Sequence, residues 1–182
     1  GNIRPSFIKI RAIRLVNDHG EHFTNDFDHN KKMVEKLTEL GVDRLVPLKT
    51  RHSVVHPRDG KLNKMQQAVV AACKQCGRNR LMQIDGLTEW GDLLAVKNQS
   101  LIVAQRGGGS VSETISGMLH QSAGSLVLCV GPEGGWSVDE LRAAVSAGAR
   151  EVGLGGHVLR IETAAVALAA AVAAAVATPD GL

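Results

Sequence analysis

Strand-like and helix-like segments alternate along nearly the whole of this 182-residue chain, and that alternation constrains its fold more than any other feature. The run Leu126-Val127-Leu128-Cys129-Val130 is apolar at every position. A strand with one wet face alternates apolar and polar residues, whereas an uninterrupted apolar run belongs to a parallel sheet covered on both faces. The expected fold class is therefore α/β, a parallel sheet with helices on both faces.

The other elements follow from period and punctuation. Phe7 to Val16 reads as a strand and Asn17 to His29 as a loop. His29 to Leu40 reads as a helix, with Met33, Leu37 and Leu40 on one face and Gly41 as its stop. Arg44 to Leu48 is a short strand, Lys61 to Cys76 a helix, Leu81 to Ile84 a strand, Thr88 to Val96 a helix and Ser100 to Gln105 an apolar strand. Ser110-Val111-Ser112-Glu113 has the form of a capping box and opens a helix ending near Gly124. Ser137-Val138-Asp139-Glu140 is a second capping box, with its helix reaching Gly148. Glu151 to Leu154 is the last strand. Glu162 to Ala177 is an alanine-rich last helix, stopped by Thr178-Pro179.

Two glycine-rich segments join strands to helices: Gly131-Pro132-Glu133-Gly134-Gly135-Trp136-Ser137 and Gly153-Leu154-Gly155-Gly156-His157. Glycine is needed at such turns where the backbone bends sharply or comes close to a ligand. The capping box behind the first loop aims backbone N–H groups and a positive dipole end back at it. Glu133, inside that loop, can cap the helix, bind a cation or hydrogen-bond a ligand. The pair is not a P-loop, because Lys and Ser/Thr do not follow in register. It is not a dinucleotide fingerprint either, because the glycine spacing and the later acidic residue are missing.

Composition narrows the class of partner. Apolar residues make up 44% and charged residues 21%, ordinary values for a globular domain. Aromatics are only 3%, which argues against a stacking platform for single-stranded nucleic acid. A formal charge of +3 permits nucleic-acid binding without requiring it. Arg78 and Arg80 with Lys61, Lys64 and Lys74 form one basic region, and Arg44, Lys49, Arg51 and Arg58 another; both suit phosphate contacts as well as plain solvated surface. The three cysteines are odd in number, and no secretory signal or membrane-length apolar run is visible, so a reduced, cytoplasmic setting is expected. Cys73-Lys74-Gln75-Cys76 lacks a second pair and reads as two thiols of a helix. His52 and His56 lack a third ligand, and no metal is expected.

Together these residues resemble one family. Gly131 to Gly135 with Ser137 and Glu140, Leu154-Gly155, Val158-Leu159-Arg160 and Glu162-Thr163-Ala164 resemble the C-terminal signature of RsmE-type 16S rRNA (uracil-N3) methyltransferases of the SPOUT superfamily. Val34 to Val42 and Gln75-Cys76-Gly77-Arg78 are similar to further family elements in the same order. The resemblance covers residues 30 to 177. It implies a deep trefoil knot near the C-terminus, a homodimer and S-adenosylmethionine as methyl donor. The donor would be wrapped by Gln105 after one strand, by Val130, Gly131, Glu133, Gly134 and Gly135 after the next, and by Leu154, Gly155, His157, Leu159 and Thr163 in the last loop. The reaction implied is methyl transfer to N3 of a uridine in 16S rRNA of the small ribosomal subunit. A tRNA target, or a knotted module that binds without turnover, are the alternatives.

Such chemistry needs orientation and a cation for the developing uridine anion, and no metal. Arg160 is the first candidate for that cation, with Glu133 as a second catalytic candidate and Arg78, Arg80 and Arg51 as RNA contacts. Residues 1–25 would be the remnant or edge of a PUA-like RNA-binding domain, and residues 26–182 the methyltransferase domain. The chain departs from the family pattern at Lys74, at Gly156-His157, where Pro-Arg is usual, and in the glycine-rich Arg106-Gly107-Gly108-Gly109.

Overall fold

The computed structural model describes residues 9–16, 27–49, 59–119, 125–132 and 135–176. Its strands are β1 (Lys9–Val16), β2 (Arg44–Lys49), β3 (Gln83–Ile84), β4 (Thr88–Glu89), β5 (Gln99–Gly109), β6 (Ser125–Val130) and β7 (Arg150–Val152). Its helices are α1 (Phe27–Glu39), α2 (Asp59–Cys76), α3 (Trp90–Ala95), α4 (Val111–Leu119), α5 (Val138–Ser146) and α6 (Ile161–Val176). The strands form one sheet in the order β3-β2-β1-β6-β5-β7, with β4 also paired to β2. Every pairing is parallel.

Both faces are covered, as the apolar β6 run requires. Leu126, Leu128 and Val130 of β6 point into one core with Ile102 of β5, Leu37 of α1, Val69 of α2, Ile115 of α4 and Leu168 of α6. Val127 and Cys129 point the other way, into a second core with Leu101 and Val103 of β5, Trp90 and Leu93 of α3 and Ala144 of α5. The alternation along each strand is the pleat at work. Pro47 lies inside β2, a central strand, where proline is normally excluded. Asp85 N–H donates to the Leu45 carbonyl from the β3 side at 2.9 Å, so Pro47, two residues on, also faces that side. There the partner changes from β3, paired at Arg44 and Leu45, to β4, paired at Leu48 and Lys49. The missing N–H falls in the gap.

Several boundaries differ from those expected, each for a visible reason. Thr88 and Glu89 are not helical: they pair with Leu48 and Lys49, and the Lys49 ammonium donates to Glu89 at 2.8 Å. α1 starts at Phe27, inside the expected loop. α4 ends at Leu119, and residues 120–124 lie outside the described ones. β7 stops at Val152 because the Gly153 N–H turns to donate to the Gly109 carbonyl at 2.9 Å. β5 runs past Gln105 to Gly109 because the chain leaves the ladder and then rejoins it. Ala104 and Gly109 both register with Val152, so residues 105–108 form an excursion between them.

A candidate active site at the carboxyl ends of three parallel strands

The sheet's connections diverge between β5 and β6. β5 leads into α4 on the first face, and β6 leads into α5 on the second. In open parallel sheets that divergence leaves a crevice beyond the carboxyl ends of the strands, where ligands bind. A cleft of about 300 Å³ lies there. The excursion of β5 lines it with Ala104, Gln105 and Arg106. The loop after β6 contributes Val130, Gly131, Pro132, Gly135 and Trp136. The loop between β7 and α6 contributes Leu154, Gly155, His157, Val158 and Leu159, and α6 adds Ala164.

Each of the three loops has a glycine in the left-handed region: Gly107 at φ 78°, Gly135 at φ 77° and Gly155 at φ 107°. Side-chain-bearing residues rarely adopt that conformation. At Gly135 it closes a tight turn, with its N–H donating to the Pro132 carbonyl at 2.8 Å.

Trp136 joins two of the loops. Its indole N–H donates to the Ala104 carbonyl at 3.0 Å, at the point where β5 leaves the ladder. A Cβ on Gly131 would come within 2.8 Å of Trp136 Nε1, so the ring packs directly against the backbone after β6. Behind it, Trp90 stacks with a centroid distance of 4.6 Å and donates its own N–H to the Glu140 carbonyl at 3.3 Å. Glu140 closes the capping box expected at Ser137. The Ser137 N–H donates to Glu140 Oε2 at 2.9 Å, and the Glu140 N–H donates to Ser137 Oγ at 3.3 Å. The cleft wall is thereby fixed to the start of α5.

Of the residues expected to hold a cofactor, Gln105, Val130, Gly131, Gly135, Leu154, Gly155, His157 and Leu159 line this one cleft. Thr163 is exposed on the first turn of α6 and does not line it. Arg160 follows the lining residue Leu159; its side chain is exposed, and its carbonyl accepts the Ala164 N–H at 2.8 Å. Glu133, Gly134 and Arg51 lie outside the described residues, as do His52 and His56. The Glu162 carboxylate has one buried oxygen without a hydrogen-bond partner.

Arg78 and Arg80 are elsewhere. The Arg78 guanidinium donates to the Thr38 carbonyl at 2.9 Å, to the Val42 carbonyl at 2.7 Å and to Asp43 at 3.0 Å. It ties the end of α1 to the start of β2. Arg80 is exposed just before β3, at the amino ends of the strands and so across the sheet from the cleft. Cys73 is buried, Cys76 is exposed and both are free thiols. Among the described residues no cluster of metal-ligating side chains occurs.

Sequence reasoning missed Ala104, Arg106, Pro132, Trp136, Val158 and Ala164. Only Trp136 carried a usable signal: a buried indole needs an acceptor, and this one follows a glycine-rich turn directly.

A model of the RNA methyltransferase domain matches residues 24–173. The chain belongs to the RNA methyltransferase domain family. The ribosomal RNA small subunit methyltransferase E of Synechocystis is 31% identical over 146 residues, which is 76% of this chain and 47% of that protein. The enzyme of the same name from Mycobacterium bovis is 32% identical over 79% of this chain and 58% of its own length. The chain thus spans about half the length of these relatives. The structure of the Neisseria gonorrhoeae methyltransferase E bound to S-adenosyl methionine superposes with a TM-score of 0.69 at 27% identity, over 88% of this chain and 65% of that one. A Porphyromonas gingivalis structure superposes at a TM-score of 0.71 over 90% of this chain and 66% of its own; at 24% identity it speaks for the fold alone.

Proposed function

We propose that this RNA methyltransferase domain transfers a methyl group from S-adenosylmethionine to N3 of a uridine in 16S rRNA. The carrying observation is the cleft itself. Three loops from neighbouring parallel strands, each with a left-handed glycine, converge at the switch point of the sheet. Similarity to small-subunit rRNA methyltransferases over most of the chain supports the same reading.

The residues present fit such a donor. Gly131 and Gly155 line the walls without side chains, the apolar side chains Val130, Leu154 and Leu159 suit a flat apolar ring, and the Gln105 amide suits its polar edge. Gln105, Val130, Gly131, Gly135, Leu154, Gly155, His157 and Leu159 would hold it, with Glu133 and Gly134 of the loop after β6 completing the set. When bound, S-adenosylmethionine supplies a methyl group already activated by the sulfonium charge. The loops orient it and keep water from the reacting atoms. Arg160 offers a guanidinium to O2 or O4 of the uracil ring, where negative charge grows as N3 gives up its proton. Glu133 is the second catalytic candidate, as a hydrogen-bonding group toward the ligand.

Further parts of the reading rest on the family resemblance. We read the chain as knotted near its C-terminus; two contacts support this, the passage after β7 so close to β5 that a Cβ on Gly153 would lie 2.9 Å from the Gly108 carbonyl oxygen, and the packing of α6 against α1 and α4. The molecule is cytoplasmic and a homodimer; the exposed Val138 and Val145 on α5 and Val158 beside the cleft support the second of these. Residues 1–25 belong to the edge of an RNA-binding domain, and residues 26–182 form the methyltransferase domain.

Calorimetric titration with S-adenosylmethionine tests the donor site; no heat at millimolar donor sinks the reading. Incubation with small ribosomal subunits and labelled donor, followed by nucleoside mass spectrometry, should yield 3-methyluridine. Label on tRNA alone reassigns the target, and donor binding without any product reassigns the chain to a binding module.

A further inference from the structure

We propose that Arg106 grips a phosphate of the RNA at the mouth of the cleft, a role that rests on the reading of this cleft as a methyltransferase site. Arginine carries five N–H donors in a rigid fork suited to phosphate. Most other described arginines near acidic groups have spent theirs: Arg44 on Asp85 at 2.7 Å, Arg78 on Asp43 at 3.0 Å and Arg142 on Asp139 at 3.1 Å. Arg106 makes no hydrogen bond or ion pair among the described residues, and its side chain is exposed while it lines the cleft. Arg80 and Arg150 are also unpaired, but they stand at the amino ends of β3 and β7. Among the residues whose side chains are described, Arg106 and Arg160 place unpaired guanidinium groups at the carboxyl ends, one on each of two loops bordering the cleft.

The backbone beneath Arg106 is held at both ends. The Trp136 indole N–H fixes the Ala104 carbonyl on one side, and the Gly153 N–H fixes the Gly109 carbonyl on the other. Between them Gly107 takes a left-handed φ of 78°, and Gly108 lies so close to Val152 that an added Cβ would fall 2.5 Å from its carbonyl carbon. Excursions of this kind beside active sites re-aim a side chain. Here the excursion carries one cation to the rim.

The charge around it selects the ligand. No carboxylate lines the cleft among the described residues, while Arg106 and His157 do. Among the described lining residues the ionisable groups are basic, and a basic group at the rim favours the polyanionic strand that must deliver a uridine. The guanidinium is exposed at the mouth, where a backbone phosphate passes.

The test is filter binding of purified 16S rRNA between about 50 and 200 mM salt, run beside donor calorimetry. Arg106→Ala should weaken RNA binding roughly three- to tenfold and lower the slope of log K against log salt by about 1, with donor affinity unchanged. Arg106→Lys should restore the slope, since it keeps the charge. An unchanged slope overturns the inference. So does a parallel loss of donor affinity, which would assign the guanidinium to the donor's own carboxylate. RNA binding absent from the wild-type chain, with donor still bound, overturns the phosphate contact and leaves the donor site standing. Donor binding absent, with the slope change intact, overturns the methyl-donor reading and leaves Arg106 as an RNA contact.

Discussion

Trp136 sets the spacing between two walls of the cleft, since one ring both packs on Gly131 and holds the Ala104 carbonyl. Trp136→Phe keeps most of the packing and removes the hydrogen bond, a net loss of about 0.5–1.5 kcal/mol. Donor affinity should fall up to about tenfold, and calorimetry on the folded variant reads it directly. Unchanged affinity would show that the β5 excursion keeps its place without the indole. The role proposed for Arg160 predicts the opposite kind of effect. Its exposed guanidinium touches no described acidic group, so Arg160→Ala should leave donor affinity within about threefold while kcat drops by about 10²–10³-fold. Retention of wild-type turnover would remove Arg160 from the chemistry. Legibility at this scale was uneven. The left-handed glycines were readable because only glycine suits such turns. Arg106 was not, because nothing local in Gln105-Arg106-Gly107 says that the strand leaves its ladder and returns to the same partner residue.

At the scale of elements, the crossing of β5 and β7 is the tightest joint beside the site. Both Ala104 and Gly109 answer to Val152, and the backbone of Gly108 fills the space where a side chain would stand. Gly108→Ala must push β7 away, against an overpacking cost of about 1–3 kcal/mol. The expected result is a lower melting temperature together with weaker donor binding, because Leu154 and Gly155 follow directly from β7. A variant that melts like wild type and binds donor equally would show that the joint is slack. The order of strands and helices was legible from alternation, and α5 from its capping box, since both are local signals. Strand β4 was not: Thr88 and Glu89 are extended because Leu48 and Lys49, distant in sequence, offer them a ladder and an ion pair. The basic pair Arg78 and Arg80 likewise looked like one surface patch. Folding separates them, turning Arg78 inward to the carbonyls that end α1.

For the whole molecule, the cleft draws its walls from segments scattered between Ala104 and Ala164, so a ligand there braces a large part of the sheet. Three loops and the start of α6 meet at this place, beside strands held in the two cores. A donor that binds the folded chain alone stabilises it by mass action, about 2.7 kcal/mol at a hundredfold excess over Kd. For a chain of this size, each kcal/mol moves the melting temperature by about 2–4 °C, so saturating S-adenosylmethionine should raise it by about 5–10 °C, and progressively with concentration. Differential scanning calorimetry over a donor series checks this. A melting temperature indifferent to donor would mean that the loops do not close on it. The Gly108→Ala chain should gain less than wild type at each donor concentration, because its displaced β7 weakens the wall through which binding is felt by the rest of the fold.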